Sequence, residues 1–387
     1  MKKIIDIVNF NADASCLSSK NWLEIVNGGE KSPFYKWLNL YVEHNKKMVL
    51  GLTGATVADL YYYNPESIEL INNNKSIFEI IYRPFAHDIS LLRNNYSFKQ
   101  NVKIGMETLN SIFQHNITPY FLPPEFMLTN SQINILSSFN ITGTFTNNLR
   151  YHNNIARIPP TPYVLKGIYE KEINCIPVDA ELTKLYLQSI QGYETKHWNS
   201  YLLQNNSNIN YFWRDGESIF LIPESIGREK EWLEKETRKI QRQHLKNIEI
   251  NFERINNDYY FRYQPIQSFS SWMKEFKVLG LVNKISVIED KLRELSLIKQ
   301  NLFLYLINSD ILSSVEKASL LIRLKDEAGT TKDFTIWRSE KINEAEEILD
   351  LILEKCDEDI LSNLYSDQRA FMKKIKARYC LLNEKIF

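Results

Sequence analysis

The chain has 387 residues, of which 44% are hydrophobic and 12% aromatic, so it can build a large apolar core and is not an intrinsically disordered chain. Lys plus Arg and Asp plus Glu number 47 each, and a net charge of zero argues against a nucleic-acid-binding protein. The four cysteines include no CxxC pair, so neither a zinc site nor a disulfide framework is expected, and reduced thiols in a cytoplasmic protein fit best. No stretch approaches the length of apolar sequence that spans a membrane, so no membrane span is expected.

Short apolar runs alternate with helical patterns through most of the chain. Strands are predicted at residues 3–11, 47–54, 78–84, 118–123, 141–147, 173–179 and 209–217. Helices are predicted at residues 32–44, 98–116, 131–140, 182–190 and 228–247, the last of them charged and mostly exposed. This alternation predicts an α/β fold whose parallel sheet is closed or nearly closed into a barrel. A doubly wound open sheet is the main alternative, but no GxGxxG motif follows any strand.

The pattern changes near residue 285. Four segments with apolar residues three and four apart follow, at residues 284–307, 313–328, 339–356 and 357–382. They predict a helical bundle packed against the barrel. The predicted division is therefore a barrel domain at residues 1–284 and a bundle domain at residues 285–387.

Polar side chains follow several of the predicted strands, which is where parallel barrels carry their functional residues. They are Asn11 and Asp13 after the first strand, Arg83, His87 and Asp88 after the third, Glu125 after the fourth, and Arg214, Asp215 and Glu217 at the last. Two facing carboxyl groups suit glycoside transfer, because one attacks the anomeric carbon while the other protonates the leaving oxygen. Each single acidic residue could equally be a solvated loop residue. Arg214 could equally form a structural ion pair on the outer face, because successive strand residues point to opposite faces.

The stretch PYFLPPEFMLTNSQINIL at residues 119–136 makes Glu125 the strongest candidate. Two prolines end the fourth strand directly before Glu125. The next helix is predicted to begin near Thr129, which is too late for Glu125 to be an ordinary first-turn anion that favours the helix dipole. Glu125 is therefore predicted to be a catalytic carboxylate at a strand end.

Two segments resemble glycoside hydrolase family 57. FLPPEFMLTNSQINILSSFNIT is similar to the nucleophile segment of that family, and NYFWRDGESIFLIPESIGREKEWLEKETRKI is similar to its acid/base segment. The resemblance implies a retaining mechanism with Glu125 as nucleophile and Asp215 as general acid/base. It also implies an incomplete seven-stranded TIM-like (β/α) barrel with a C-terminal helical bundle, and an α-linked oligosaccharide or polysaccharide as substrate. No cofactor is expected.

Further segments extend this resemblance to substrate-binding positions. SIFEIIYRPFAHDI is similar to a region that opens the substrate pocket, YQPIQSFSSWM to a later pocket loop, and LYSDQRAFMKK to a helical segment of the bundle. In NFNADAS, an asparagine and an aspartate replace the imidazoles of the first family motif. The substrate-binding residues implied are Asn11, Asp13, His87, Asp88, Arg214, Trp272 and Asp367.

Two other readings stay open from the sequence. A metal-dependent enzyme of the polysaccharide deacetylase type would use Asp13 with histidines, but the fourth residue after His87 is Leu91, so no HxxxH pair exists there. A carbohydrate-binding protein without catalysis on a decayed enzyme fold is the alternative from a different class, because the first motif is altered.

Overall fold

A nine-stranded sheet forms the centre of the molecule. The computed structural model describes residues 1–11, 25–113, 117–147, 161–169, 171–193, 195–220, 224–254, 276–307 and 334–383. The strands are β1 (Lys2–Phe10), β2 (Met48–Leu52), β3 (Phe78–Tyr82), β4 (Ile117–Phe121), β5 (Gly143–Asn147), β6 (Tyr163–Lys166), β7 (Glu172–Val178), β8 (Ile209–Asp215) and β9 (Ile240–Arg242). Their order is β6-β7-β5-β4-β3-β2-β1-β8, and β9 also pairs with β1.

The seven predicted strands are present and run parallel to their sheet neighbours, which confirms the predicted fold class. The additional strands are β6, which is antiparallel to β7, and the short β9. Just after β7, the backbone N–H of Asp179 donates to the carbonyl oxygen of Tyr211 in β8 at 2.8 Å. The two ends of the parallel sheet therefore meet, and the sheet curves into an incomplete (β/α)₇ barrel.

Thirteen helices are present in the described part of the chain. They are α1 (Pro33–Glu43), α2 (Gly54–Tyr63), α3 (Pro65–Asn73), α4 (Asn95–Phe113), α5 (Asn130–Ser138), α6 (Ala180–Ile190), α7 (Lys196–Gln204), α8 (Ser225–Lys235), α9 (Phe276–Lys291), α10 (Leu297–Leu306), α11 (Phe334–Glu354), α12 (Asp357–Ser366) and α13 (Ala370–Leu381). The first begins as predicted, because the Ser32 hydroxyl accepts the backbone N–H of Tyr35 at 3.1 Å and Pro33 occupies the first turn.

Apolar side chains on the two faces of each barrel strand belong to different cores. Along β1, Ile5 and Ile7 point into the barrel, whereas Ile4 and Val8 point outward to the helices. At the carboxyl ends of β1 and β8, the polar residues Asn9 and Asp215 follow the inner apolar residues on the same strand face. Because successive strand residues point to opposite faces, every second residue near the carboxyl end of a strand points into the mouth of the barrel.

The predicted helix at residues 228–247 is wrong in length. Helix α8 ends at Lys235, and the chain then forms β9 beside β1. Most charged side chains of this segment are exposed, as predicted, but Glu229, Glu236 and Arg242 are buried. These three form ion pairs inside the protein.

The C-terminal helices form a second apolar core. Residues of α9 to α13 pack together and against Phe85, Ile89 and Met127 of the barrel. Arg378 of α13 donates to both carboxylate oxygens of Asp59 in α2 at 3.2 and 3.1 Å, and both side chains are buried. The bundle is thus packed on the barrel. The predicted segment 284–307 divides into α9 and α10, and 357–382 divides into α12 and α13.

The predicted segment 313–328 lies outside the described residues. The division into domains at residues 1–284 and 285–387 stays a prediction, and α9 crosses that boundary.

Candidate active site

A small cavity opens at the carboxyl ends of the barrel strands. Its polar lining consists of Asn9, Arg83, His87, Glu125 and Asp215, and its apolar wall of Leu122, Pro123, Phe126 and Trp213. These residues come from β1, β8 and the loops that follow β3 and β4. The structure therefore brings together the two predicted catalytic carboxylates, which lie ninety residues apart in the sequence.

Asp215 is the last residue of β8 and is held from the neighbouring strand. The parallel register of β1 and β8 places Asn9 directly beside Asp215, and Asn9 Nδ2 donates to Asp215 Oδ1 at 2.6 Å. Gly216 follows, and a Cβ there would lie 2.7 Å from Phe10 Cδ2 and 3.1 Å from the carbonyl oxygen of Asn9. A glycine is thus needed for the turn to approach the end of β1 so closely.

Glu125 lies in a tight turn after β4. The short 3₁₀ turn Pro124–Phe126 follows Pro123, and helix α5 begins only at Asn130. Thr129 caps that helix with a reciprocal capping box, so Glu125 belongs to the turn and not to the helix. Glu125 and Phe126 both adopt left-handed backbone conformations, with φ of 52° and 57°.

Aromatic packing links the two carboxylate-bearing segments. The ring of Phe126 meets that of Trp213 edge to face, with centroids 5.1 Å apart. Trp213 is two residues before Asp215 on the same face of β8, so this contact ties the Glu125 turn to the strand that carries Asp215. The Glu125 side chain is 13% exposed, so it is accessible only from the cavity mouth.

His87 is held in the loop after β3. The side chain of Asn101 in α4 accepts the backbone N–H of Ala86 at 2.7 Å and donates to the Ala86 carbonyl oxygen at 3.2 Å. A Cβ on Gly105 of α4 would lie 2.5 Å from the backbone of this loop, so the helix packs directly on it. The imidazole Nε2 of His87 lies 4.0 Å from Glu125 Oε1.

A third carboxyl group lies beneath the site. Glu217 is 6% exposed, and one of its oxygens accepts the backbone N–H of Asn11. Burial raises the pKa of Glu217 well above its usual value, and the neighbouring Asp215 raises it further, whereas Arg83 and the backbone hydrogen bonds oppose the rise. The direction of this shift favours the protonated form of Glu217.

Arg214 and Asp88 do not lie in the cavity, which corrects their prediction as substrate-binding residues. Arg214 precedes Asp215 on the strand and points to the opposite face, where it is fully buried and donates to Asp6 and Glu229. Asp88 turns away from His87 and accepts from Arg93 at 3.2 and 3.1 Å. Both side chains form ion pairs inside the protein.

Asp367 is not among the described residues that line the cavity, and its role as a substrate contact stays a prediction. It follows α12, and its carboxylate pairs with Arg369, which also pairs with Glu347 of α11. These hydrogen bonds, chiefly with Arg369, lower the pKa of Asp367, as in a local surface ion pair. Asp13 and Trp272 lie outside the described residues.

Sequence reasoning did not assign a role to several cavity residues. Asn9 was visible only as a polar interruption of an apolar strand, although it shares a strand face with Asn11. Arg83 and Glu217 were recognised as strand-end residues without a role. Trp213 reads as a core residue in the sequence, and its position at the cavity wall depends on the curvature of the sheet.

In the part of the chain that the structure describes, no three His, Cys, Asp or Glu side chains are grouped as metal ligands. No helix in that part is long and apolar enough to cross a membrane. A parallel barrel whose mouth carries two carboxylates from different segments has the arrangement that glycoside hydrolases use.

The chain belongs to Glycosyl hydrolase family 57, whose sequence profile matches residues 8–291. The fold is similar to a GH57-type branching enzyme from Pyrococcus horikoshii, with a TM-score of 0.68 and 11% identity over 99% of this chain and 96% of that one. It is also similar to a GH57 branching enzyme from Thermococcus kodakaraensis, with a TM-score of 0.66 and 10% identity over 98% and 96% of the two chains. No curated protein matches the sequence significantly.

A third similar structure is the 4-alpha-glucanotransferase from Thermococcus litoralis, with a TM-score of 0.62 and 13% identity. The match covers 81% of this chain and 56% of the glucanotransferase, so this chain spans only about half of that protein. At such identities the likeness concerns the fold. Membership of the family supports a function of the glycoside hydrolase type.

Proposed function

We propose that this protein is a retaining glycoside hydrolase or transglycosidase that acts on an α-linked oligosaccharide or polysaccharide. Glu125 is the nucleophile and Asp215 the general acid/base. The observation that carries the proposal is that both carboxyl groups line one cavity at the barrel mouth. They come from different strand ends, so they can approach the two sides of a glycosidic bond.

The first step would form a covalent glycosyl ester. A Glu125 carboxylate oxygen attacks the anomeric carbon, the bond from that carbon to the leaving oxygen breaks, and the Asp215 proton passes to that oxygen. The partial burial of Glu125 by Pro123, Pro124 and Phe126 excludes water from the attacking side. The turn that holds Glu125 presents the carboxylate from a rigid segment, which reduces the entropy lost in reaching the reactive geometry.

The second step would release the sugar. Asp215, now ionised, removes a proton from water or from a sugar hydroxyl, the resulting oxygen attacks the anomeric carbon, and the ester bond to Glu125 breaks. Attack by water gives hydrolysis, and attack by a sugar hydroxyl gives transfer. The hydrogen bond from Asn9 at 2.6 Å restrains the Asp215 carboxyl through both proton transfers.

The cavity wall supports a carbohydrate substrate. Trp213 and Phe126 present aromatic surface beside polar groups that can bind hydroxyls, and sugar rings combine an apolar face with a polar rim. The 4-alpha-glucanotransferase that shares the fold is named for action on glucans, and one of the similar branching enzymes is in complex with glucose, which supports an α-linked glycan as substrate here.

The direct test is to trap the ester. The protein would be incubated with activated aryl α-glycosides and with slow fluorinated α-glycosyl fluorides, in excess chelator, and the peptide that carries the adduct identified by mass spectrometry. A glycosyl group on Glu125 is expected. Chelation should not reduce turnover, because this mechanism needs two carboxyl groups and no metal ion.

Two variants separate the roles of the carboxyls. Glu125→Gln should lower kcat by at least about 10³-fold with every donor. Asp215→Asn should lower kcat/KM about 10²- to 10⁴-fold with poor leaving groups but little with a dinitrophenyl glycoside, which needs no acid in its first step. Glu181→Gln, an exposed carboxylate on α6, is the matched control and should behave like the native protein. A folded protein that turns over no α-linked donor would refute the proposal and favour a carbohydrate-binding protein without catalysis.

A further inference from the structure

Asn11 connects the segments that carry the carboxyl groups. It follows β1 directly and is 1% exposed. Its backbone N–H donates to the Glu217 carboxyl, and its side-chain Nδ2 lies 2.6 Å from Nδ1 of His87. The other ring nitrogen of His87 faces Glu125, with Nε2 4.0 Å from Oε1. One asparagine thus contacts the imidazole that lies between it and the proposed nucleophile.

The chemistry of this contact determines where the imidazole proton lies. An amide nitrogen carries two hydrogens and no available lone pair, so it can only donate. Nδ1 of His87 must therefore accept, and the proton of the neutral ring must lie on Nε2. We infer that Asn11 is a positioning residue that holds His87 in the Nε2–H tautomer, so that the ring presents a hydrogen-bond donor to Glu125. This inference extends the proposed function and rests on it for the role of Glu125.

The Nε2–H tautomer favours an ionised Glu125. A separation of 4.0 Å is longer than a hydrogen bond, so in the free protein the N–H dipole acts through space on the carboxylate. A movement of about 1 Å on substrate binding would complete the bond. The opposite tautomer would turn a lone pair toward the carboxylate and repel it. The tautomer therefore helps to keep the nucleophile ionised and correctly oriented.

Asn11 also disfavours a charged imidazole. A second ring proton would have to lie on Nδ1, opposite the amide hydrogens. Among the described residues, the charged and titratable groups near the ring are Glu125 at Nε2, Glu217 on the far side of Asn11, and Arg83 and Asp215 in the same cavity lining. Asp88, the next residue, is turned away and occupied by Arg93.

The tautomer can be observed directly by NMR. Protein labelled with ¹⁵N-histidine contains six imidazoles, and two-bond ¹H–¹⁵N spectra distinguish protonated from unprotonated ring nitrogens. His87→Gln assigns the His87 signals. His244 is an internal control, because its Nε2 lies 3.0 Å from the carbonyl oxygen of Ile77 and so also carries the proton. We expect the native protein at neutral pH to show His87 protonated on Nε2 alone.

Two substitutions test the cause. Asn11→Leu removes the donor at similar size, and the His87 signals should then move toward a mixture of tautomers. Asn11→Asp replaces the donor by an anionic acceptor, so Nδ1 should gain a proton and the pKa of His87 should rise by about one unit or more. The backbone N–H to Glu217 remains in both variants, and unchanged His244 signals would show that the fold is intact.

Kinetics supply the second readout. Asn11→Asp should move the acidic limb of the kcat/KM profile to lower pH, because an imidazolium beside Glu125 stabilises its ionised form, whereas Asn11→Leu should lower kcat/KM about tenfold. A native His87 with its proton on Nδ1, or His87 signals that are the same in all three proteins, would overturn the inference. The NMR experiment does not require turnover, so it tests the tautomer separately from the proposed function. Failure of the proposed function would instead appear as inactivity of the native protein on every α-linked donor.

Discussion

Replacing Arg214 by methionine should destabilise the protein strongly and leave its chemistry intact. The Arg214 guanidinium is fully buried and donates to both Asp6 oxygens at 2.9 and 3.1 Å, and to Glu229 and the Tyr186 hydroxyl at 2.9 Å each. Burial alone would lower the pKa of Arg214, but Asp6 and Glu229 raise it well above its usual value. The charge is therefore fully present and fully compensated in the native protein.

The size of the effect follows from what methionine leaves behind. Asp6 would keep Arg242 as a partner, whereas Glu229 would keep only neutral donors such as the Tyr186 hydroxyl. Breaking a buried ion pair from one side costs about 3–5 kcal/mol, because an uncompensated charge remains in the interior. We expect Arg214→Met to lower the free energy of unfolding by that amount. Arg214→Met combined with Glu229→Gln should lose less, because the stranded charge is gone.

Urea unfolding followed by tryptophan fluorescence measures this loss. Arg228→Met is the matched control, because Arg228 lies on the partly exposed surface of α8 in an i,i+4 pair with Glu224, and its loss should cost less than about 1 kcal/mol. Folded Arg214→Met should keep native KM values, since the side chain faces away from the cavity. A stability loss below about 1 kcal/mol, or a raised KM at native stability, would refute this account of Arg214.

Two further substitutions address the contacts between barrel and bundle. Burial raises the pKa of Asp88 from 3.8 to about 6 against the opposing effect of Arg93. Between pH 4 and pH 6 the folded protein therefore keeps the Asp88 proton, whereas the unfolded chain releases it. The contribution of Asp88 to stability falls as the pH rises through this range. The stability of the native protein relative to Asp88→Asn should therefore drop by about 2 kcal/mol between pH 4 and pH 7 in urea titrations, and a difference that stays constant with pH would contradict this. Arg378→Met leaves Asp59 buried without its bidentate partner and should lower the free energy of unfolding by about 3–5 kcal/mol. Limited proteolysis should then cut the C-terminal helices earlier than in the native protein. An unchanged digestion pattern would count against a stabilising role for this ion pair.

The barrel could be predicted because its strands and helices are encoded by local sequence patterns. Each of the seven parallel strands is a short apolar run between turn signals, and Glu125 could be selected because two prolines and a late helix start isolate it. Period-two alternation also allowed Arg214 to face outward, and the structure shows that it does.

The rest depends on contacts between residues far apart in the chain. The pairing of Asn9 with Asp215 follows from the register of β1 and β8, which no local pattern contains. The segment after Lys235 reads as helix because its composition suits one, but β9 forms there since Arg242 pairs with Asp6 and Glu236 in the interior. The roles of Asn11 and Glu217 likewise require knowing which loops meet at the barrel mouth.

The turn at Glu125 has a consequence for the evolution of this chain. Two successive non-glycine residues in left-handed conformation cost of order 1–3 kcal/mol each, and nothing in the packing of Phe126 against Trp213 requires a carboxylate at the preceding position. Glycine at position 125 would relieve part of that cost and stabilise the protein by about 1 kcal/mol while removing the proposed nucleophile. A lineage released from selection for turnover would gain stability by that single change.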